Sequence, residues 1–389
     1  MKKTLLLAAL GALSVSANAQ FTDGFESYAD GPLLSGGWLA WGNSNSEAGT
    51  VVSNMARTGS KSVKIDTNGD AGFSDYTDAV HPWTGFSTGK YVVRSWMYLP
   101  TGGATGSTPY YILMNLYNGT GGEWSVQMKF SGATGKVTSD MLALTDQVQP
   151  DIAYDQWVPI HHYVDLDLVA GGNERGEVRE FYNWTRLETA AFQAGFIHTW
   201  KAVNANPTEI QNIDLFINPE GGSAVEHFYD DVQILPNTHT VSASAVTTTE
   251  GEEFGGDLGS LASSDDNSYC AFNDAVSLAS KVLVTTNTDL PSITAFTFNF
   301  ELRVERPGVQ YAVYFKNYTT NTMQFQAGAT APTADVSGSV TVSTDAMRYM
   351  SGMGEMQAEF RFSPINDEDP SQDGWLHCID VANYSVTAF

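Results

Sequence analysis

The chain has 389 residues, with 44 acidic side chains against 19 basic ones and a formal net charge of −25. That balance argues against nucleic acid and anionic lipid as partners, because phosphate-rich surfaces repel it. It leaves neutral glycans and divalent cations open, and the length suits two domains of ordinary size.

The opening MKKTLLLAALGALSVSANAQ reads as an export signal over residues 1–19. Lys2 and Lys3 form a positive start, Leu5 to Val15 a short apolar run, and Ala17-Asn18-Ala19 a small-x-small cleavage pattern. The run is too short to span a bilayer and no second one follows, so the expected location is secreted or periplasmic, without membrane insertion. Strand signals dominate from there. Residues 20–236 carry Lys90–Leu99, Tyr110–Tyr117, Glu123–Phe130, Trp157–Leu168 and Ile213–Asn218, separated by Gly-rich turns. Arg186–Phe196 is the one weakly helical piece. PNTHT, Pro236–Thr240, reads as a linker, and Trp375 is the only one of nine tryptophans beyond it. Residues 237–389 are richer in Ser, Thr, Val and Ala and again carry many short strands, which predicts a sandwich or barrel. Cys270 and Cys378 lie in this half. In an oxidising compartment they can form a disulfide; the alternative is two buried thiols.

Alternation predicts which side chains share a face. In EWSVQMKF, Trp124, Val126, Met128 and Phe130 form an apolar row, and Glu123, Ser125, Gln127 and Lys129 a polar one. Arg94, Trp96 and Tyr98 share a row, as do Asn115 and Tyr117, while His161 lies in the outward row with Trp157. If these rows line one concave sheet, rings and fixed polar groups combine there. Aromatic faces suit the C–H groups of a sugar ring, and amides and charges suit its hydroxyls. The predicted ligand-binding set is therefore Arg94, Trp96, Tyr98, Asn115, Tyr117, Gln127, Lys129 and His161. The competing reading is that these are ordinary strand aromatics packed in the core or under loops.

FYDDVQIL, Phe228–Leu235, places two adjacent carboxylates in a strand. Strict alternation puts Asp230 on the face of Val232 and Ile234, and Asp231 on the other. A buried Asp230 needs a cation or a hydrogen-bond network. Glu26, in GFESY on the expected first strand, could meet it. These pieces, with RTGSKSVKI and DQWVPIHHYVDLDL in order between them, resemble the concanavalin A-like (LamG-like) carbohydrate-binding jelly rolls of secreted bacterial proteins over residues 21–235. The resemblance implies a structural calcium, Ca2+, held by Glu26, the Gly59–Lys61 turn and Asp230. The second half is similar to Ig-like sandwiches. The expected fold is thus all-β, a concanavalin-like jelly roll followed by an Ig-like β-sandwich.

Catalytic patterns are absent from the sequence. Jelly-roll glucanases carry Glu-x-Asp-x-x-Glu on one strand, and no such string occurs. Asp165 and Asp167 lack a third partner. The fragments ELR (Glu301–Arg303) and YFK (Tyr314–Lys316) lie too close together to match alginate-lyase motifs. No HExxH, nucleophile elbow or phosphate loop is present. The expectation is a non-catalytic secreted protein binding a polysaccharide or cell-surface glycan. A polysaccharide lyase or glycoside hydrolase, and a structural cell-envelope protein, are the alternatives.

Overall fold

The computed structural model describes residues 20–389 except 44, 68–76, 105–106, 120, 168, 171–172, 175, 196–197, 201–208, 220–224, 266 and 366–373. Residues 1–19, read above as an export signal, and most of the acidic loop at 366–374 lie outside the described residues. Among the described residues nearly every element is a strand, and Ala190–Gly195 is the one α-helix. No helix there is long and apolar enough to cross a membrane. The chain forms two compact units, one running to Asn237 and taking in Phe389, the other spanning Thr238–Ala388.

The first unit has two large antiparallel sheets and a small two-stranded one, Val169–Ala170 with Asn173–Glu174. One has Lys90–Tyr98 near its centre, flanked by Trp157–Asp165 and Glu226–Pro236, with Glu177–Tyr182 and Ser62–Asp66 beyond. The other runs Lys136–Ser139, Gly122–Ser131, Ser107–Tyr117, Asn212–Pro219, Asp78–Pro82, Leu39–Ala40. Strands Ser62–Asp66, Asp78–Pro82, Lys90–Tyr98 and Ser107–Tyr117 alternate between the sheets. The last two return into the middle: Asn212–Pro219 lies between Ser107–Tyr117 and Asp78–Pro82, and Glu226–Pro236 between Lys90–Tyr98 and Ser62–Asp66. This is the winding of a jelly roll. Its core is filled from alternate positions, Val93 and Met97 on one side and Leu113, Val126, Met128, Phe130, Ile213 and Leu215 on the other. Each such side chain fully removed from water contributes about 1.5–3 kcal/mol.

The second unit is also a sandwich of two antiparallel sheets, wound by the same rule. Tyr269–Phe272, Ser280–Asn287, Ala295–Val304 and Val309–Asn317 alternate between sheets. Glu355–Pro364 then enters between the second and fourth, and Leu376–Thr387 between the first and third. Cys270 and Cys378 stand opposite each other on neighbouring strands and are joined by a disulfide.

Two local departures from simple alternation reposition acidic side chains of the first unit. In Glu226–Pro236 the register against Lys90–Tyr98 slips between Asp230 and Gln233, so that Asp231 and Val232 together face Ser95. Asp231 takes φ 51, a left-handed conformation that Asp tolerates. This bulge reverses the phase. Tyr229, Val232 and Ile234 all point into the core, while Asp230 and Gln233 pair with Trp96 and Arg94 on the outer face. The expectation that Asp230 shares the face of Val232 and Ile234 is therefore wrong. Glu26 also leaves its expected place: the first strand is Phe21–Asp23, and the chain turns at Phe25, φ 62, before Glu26.

Candidate functional site

The eight residues expected to line one sheet divide between two. Arg94, Trp96, Tyr98 and His161 belong to the larger sheet, and Asn115, Tyr117, Gln127 and Lys129 to the smaller. The first group is largely engaged. Arg94 Nε donates to Gln233 Oε1 at 2.7 Å. The Arg57 guanidinium lies 3.6 Å over the centre of the Trp96 ring, covering the surface a sugar would use. Tyr98 packs against Trp157 and Phe228. His161 is buried beside Trp184.

The segment Arg57–Lys61 explains how Asp230 can be buried on an outer face. Asp230 Oδ2 accepts from the Arg57 and Thr58 N–H groups at 2.8 and 3.2 Å, and its Oδ1 from the Asp231 N–H at 2.7 Å. Glu26 Oε1 accepts from the Ser60 and Lys61 N–H groups at 2.8 Å each, and Oε2 from the Ser60 hydroxyl. Gly59, φ +64, lets the turn close on Glu26: a Cβ there would stand 2.4 Å from Oε1. Arg57 and Asp231 add an ion pair at 2.7 Å. The expected calcium set was Glu26, Gly59–Lys61 and Asp230; Glu26 lies against that turn, whereas Asp230 is held by Arg57, Thr58 and Asp231. However, the turn presents N–H donors where a calcium ion needs oxygen ligands. As arranged, this clasp does not fit calcium. Burial pushes the Asp230 carboxyl up to about 6, against the pull of the same N–H groups.

The smaller sheet carries a cluster that sequence reasoning missed. In Asn212–Pro219 the core takes Ile213, Leu215 and Ile217, leaving Asn212, Asp214 and Phe216 on the other face. In Asp78–Pro82 the core takes Ala79, leaving Asp78 and Val80. The register sets Phe216 opposite Asp78 and Asp214 opposite Val80, so the two aspartates are diagonal neighbours. They are 7% and 2% exposed and titrate as an interacting pair. Burial raises both carboxyls; Asp214 raises Asp78 further, while Asp78 pulls Asp214 back down, so the pair keeps a proton, on Asp78, at neutral pH. Asp78 Oδ1, Asp214 Oδ1 and both amide atoms of Asn212 have no hydrogen-bond partner among the described residues. Buried polar atoms left this way cost stability, about 1–3 kcal/mol each, and mark a place where a ligand or water completes them.

Aromatic rings gather around Tyr117, whose hydroxyl feels the charges of Asp78 and Asp214. Trp41 lies 5.3 Å from the Tyr117 ring and stacks on Trp124 at 6.4 Å and 12°. Trp124, expected in the apolar row, is 39% exposed, because register shifts at Met114 disturb the alternation beside it. Burial, then the charges of Asp78 and Asp214, hold the Tyr117 hydroxyl above its usual range. Along the sheet, the row through Asp78 continues with Phe216, Tyr110 and Lys129, and the row through Asp214 with Ile112 and Gln127. Four of the expected residues thus belong to this sheet, and Gln127 and Lys129 fall in these two rows. The clue in the sequence was Asp214 in IDLFIN, an acid inside an otherwise apolar strand, just as in FYDDVQIL.

Chemically, two carboxyls sharing a proton offer one O–H donor and several acceptors, beside an amide that offers both.

No protein-family pattern matches the chain, and no curated protein does. Among solved structures it is similar to a cellulose induced protein, Cip1, at 17% identity over 55% of this chain and 96% of that one, with a TM-score of 0.32. It is similar to an endo-acting O-glycanase of the human gut microbiota that initiates mucin breakdown, at 14% identity over 56% and 99%, with a TM-score of 0.36. It is also similar to the C-terminal family 22 carbohydrate binding module of Clostridium thermocellum Xyn10B, at 11% identity over 57% and 95%, with a TM-score of 0.27. At these values the likenesses decide neither activity nor ligand.

Proposed function

We propose that the first unit binds a polysaccharide on the outer face of its smaller sheet, and that it does so without cleaving it. The observation that carries this reading is the buried Asp78, Asp214 and Asn212 cluster, with unpartnered polar atoms, beside the Trp41, Tyr117 and Trp124 rings. Rings for the faces of a sugar and paired donors and acceptors for its hydroxyls are the two requirements of glycan recognition. The disulfide and the character of the first nineteen residues support a place of work outside the cytoplasm.

The test is calorimetry against a panel of neutral and acidic polysaccharides. Binding in the micromolar to millimolar range is expected, with Trp124→Ala weakening it about tenfold, equivalent to ~1.4 kcal/mol. Asp214→Ala should weaken it further, and Trp96→Ala should leave it unchanged because Arg57 already covers that ring. Binding that ignores Trp124→Ala and responds to Trp96→Ala would move the site to the other sheet; no binding to any glycan would end the proposal. The rival reading, a lyase or hydrolase, draws on the protonated carboxyl in the same cluster. Release of unsaturated or reducing ends from the panel, lost in Asp214→Asn, would establish it.

Calcium is tested separately. Titrating calcium into chelator-treated protein is expected to leave the first unit's Tm within about 1 °C. A rise of several degrees, absent in Asp230→Asn, would restore the ion to the clasp and require carbonyl oxygens to replace the N–H groups around Glu26 and Asp230.

A further inference from the structure

A second group of buried polar side chains lies on the inner side of the first unit. In Glu177–Tyr182 the core takes Val178 and Tyr182, and Glu180 lies between them on the same face. His162 is directly opposite Glu180 on Trp157–Asp165 and stacks on Tyr111 from the facing sheet, 5.2 Å between ring centres and 3° between planes. Glu188 and His198, from the segments on either side of the short helix, complete the group. Glu180 is fully buried, yet neither of its carboxylate oxygens has a hydrogen-bond partner among the described residues, and neither has His198 Nε2.

We propose that Glu180, Glu188 and His198 bind a divalent transition metal of the zinc class within the sandwich. Their ligand atoms all lie within 4.8 Å of one another. His198 Nδ1 stands 3.5 Å from Glu180 Oε2 and 3.3 Å from Glu188 Oε1. An imidazolium bound to a carboxylate closes to about 2.7–2.9 Å on one oxygen. Here Nδ1 makes one long hydrogen bond, to Glu188 Oε1 at 3.3 Å, and stops at 3.5 Å from Glu180 Oε2. Ligands bonded to one tetrahedral zinc at about 2.0–2.2 Å stand roughly 3.3–3.6 Å apart, which is the spacing found.

The surroundings hold the ligands as a metal site requires. Arg186 Nε donates to Glu188 Oε2 at 2.9 Å and the Glu180 N–H to Glu188 Oε1 at 3.1 Å, so Glu188 is fixed in orientation. His162 Nε2, 3.5 Å from Glu180 Oε1, is placed to steady Glu180 or to enter as a fourth ligand. Two carboxylates and an imidazole suit zinc, manganese or iron(II); calcium would reject the imidazole in favour of oxygen. Because the group is enclosed by the core, the ion's role is to stabilise the fold, away from the glycan-binding face.

Full-length protein purified without chelator should hold about one zinc-class ion per chain by elemental analysis. After chelation, zinc at 100 times its Kd should raise the first unit's Tm by about 5–10 °C, and calcium should not. Glu188→Gln and His198→Gln should lose both the ion and the zinc-induced shift. If either variant fails to fold, X-ray absorption at the zinc edge of the wild type decides. Imidazole nitrogen with carboxylate oxygen near 2.0–2.1 Å supports the site. A shell of oxygens alone overturns it, as does wild-type protein that takes up no zinc or shows no shift.

Discussion

Reducing the Cys270–Cys378 disulfide is expected to lower the melting temperature of the second unit by roughly 10–18 °C. The two residues are separated by 108 positions and meet on neighbouring strands. The bond therefore closes most of this unit into one loop. In the chain-entropy treatment, a closed loop of about 100 residues removes enough freedom from the unfolded chain to contribute ~4.7 kcal/mol. For a domain of about 150 residues each kcal/mol moves Tm by about 2–4 °C. Trp375 is the only tryptophan beyond the linker and is buried in the folded unit, so its emission follows this unfolding. The double variant Cys270→Ser, Cys378→Ser should reproduce the effect of reductant and abolish any further response to it. A reduced protein melting within about 3 °C of the oxidised one would show that the unfolded chain retains contacts across the loop, so that the bond constrains little.

What the sequence disclosed depends on which physical rules are local. In EWSVQMKF the period of two placed Val126, Met128 and Phe130 in the core and Gln127 and Lys129 opposite, and the structure agrees. The rule failed where the backbone breaks step. At Asp231 one left-handed residue reverses every side chain around it, and at Met114 the register shifts uncover Trp124. Both bulges depend on partner strands that local periodicity does not identify. Alternation also assigns a face of a strand without assigning the sheet. Arg94 and Gln127 were therefore placed on one surface although they belong to different sheets. Asp78 with Asp214, and Glu180 with His198, are brought together by register and by loops. A buried acid in an apolar strand stands out in the sequence, but its partner does not: Asp230 is held by the Arg57, Thr58 and Asp231 N–H groups rather than by Glu26.

Acid should destabilise the second unit, because burial holds the His377 ring below its ordinary range. His377 is enclosed by Phe362, 4.1 Å away, and Trp375, and burial pushes its ring down to about 3. His227, in the first unit, is wholly buried against Tyr229, with neither ring nitrogen hydrogen-bonded among the described residues, and is likewise pushed down to about 3. Below the unfolded value near 6.5 the unfolded chain takes up a proton that the folded ring refuses. The stability is complete above about pH 6.5 and is lost as pH falls toward 3, at ~1.36 kcal/mol per unit. Each histidine thus costs its unit roughly 3 kcal/mol between pH 7 and pH 4. In the first unit Asp78 and Asp214 act oppositely. Their raised carboxyls favour the folded state most below the ordinary aspartate value near 3.9, and that contribution is lost as pH rises. Carboxyls held low in the second unit, Glu250 by Lys281 and Ser277, and Asp274 by the Ser277 and Val276 N–H groups, act only below about pH 4.5. Denaturant unfolding of Trp375 between pH 6.5 and 4.5 therefore isolates His377. His377→Phe, which keeps a ring beside Phe362 while Ser280 Oγ retains its bond to the Glu250 carbonyl, should flatten the profile there. A wild-type profile already flat in that interval, or a variant that falls just as steeply, would show that the His377 ring takes up its proton while folded.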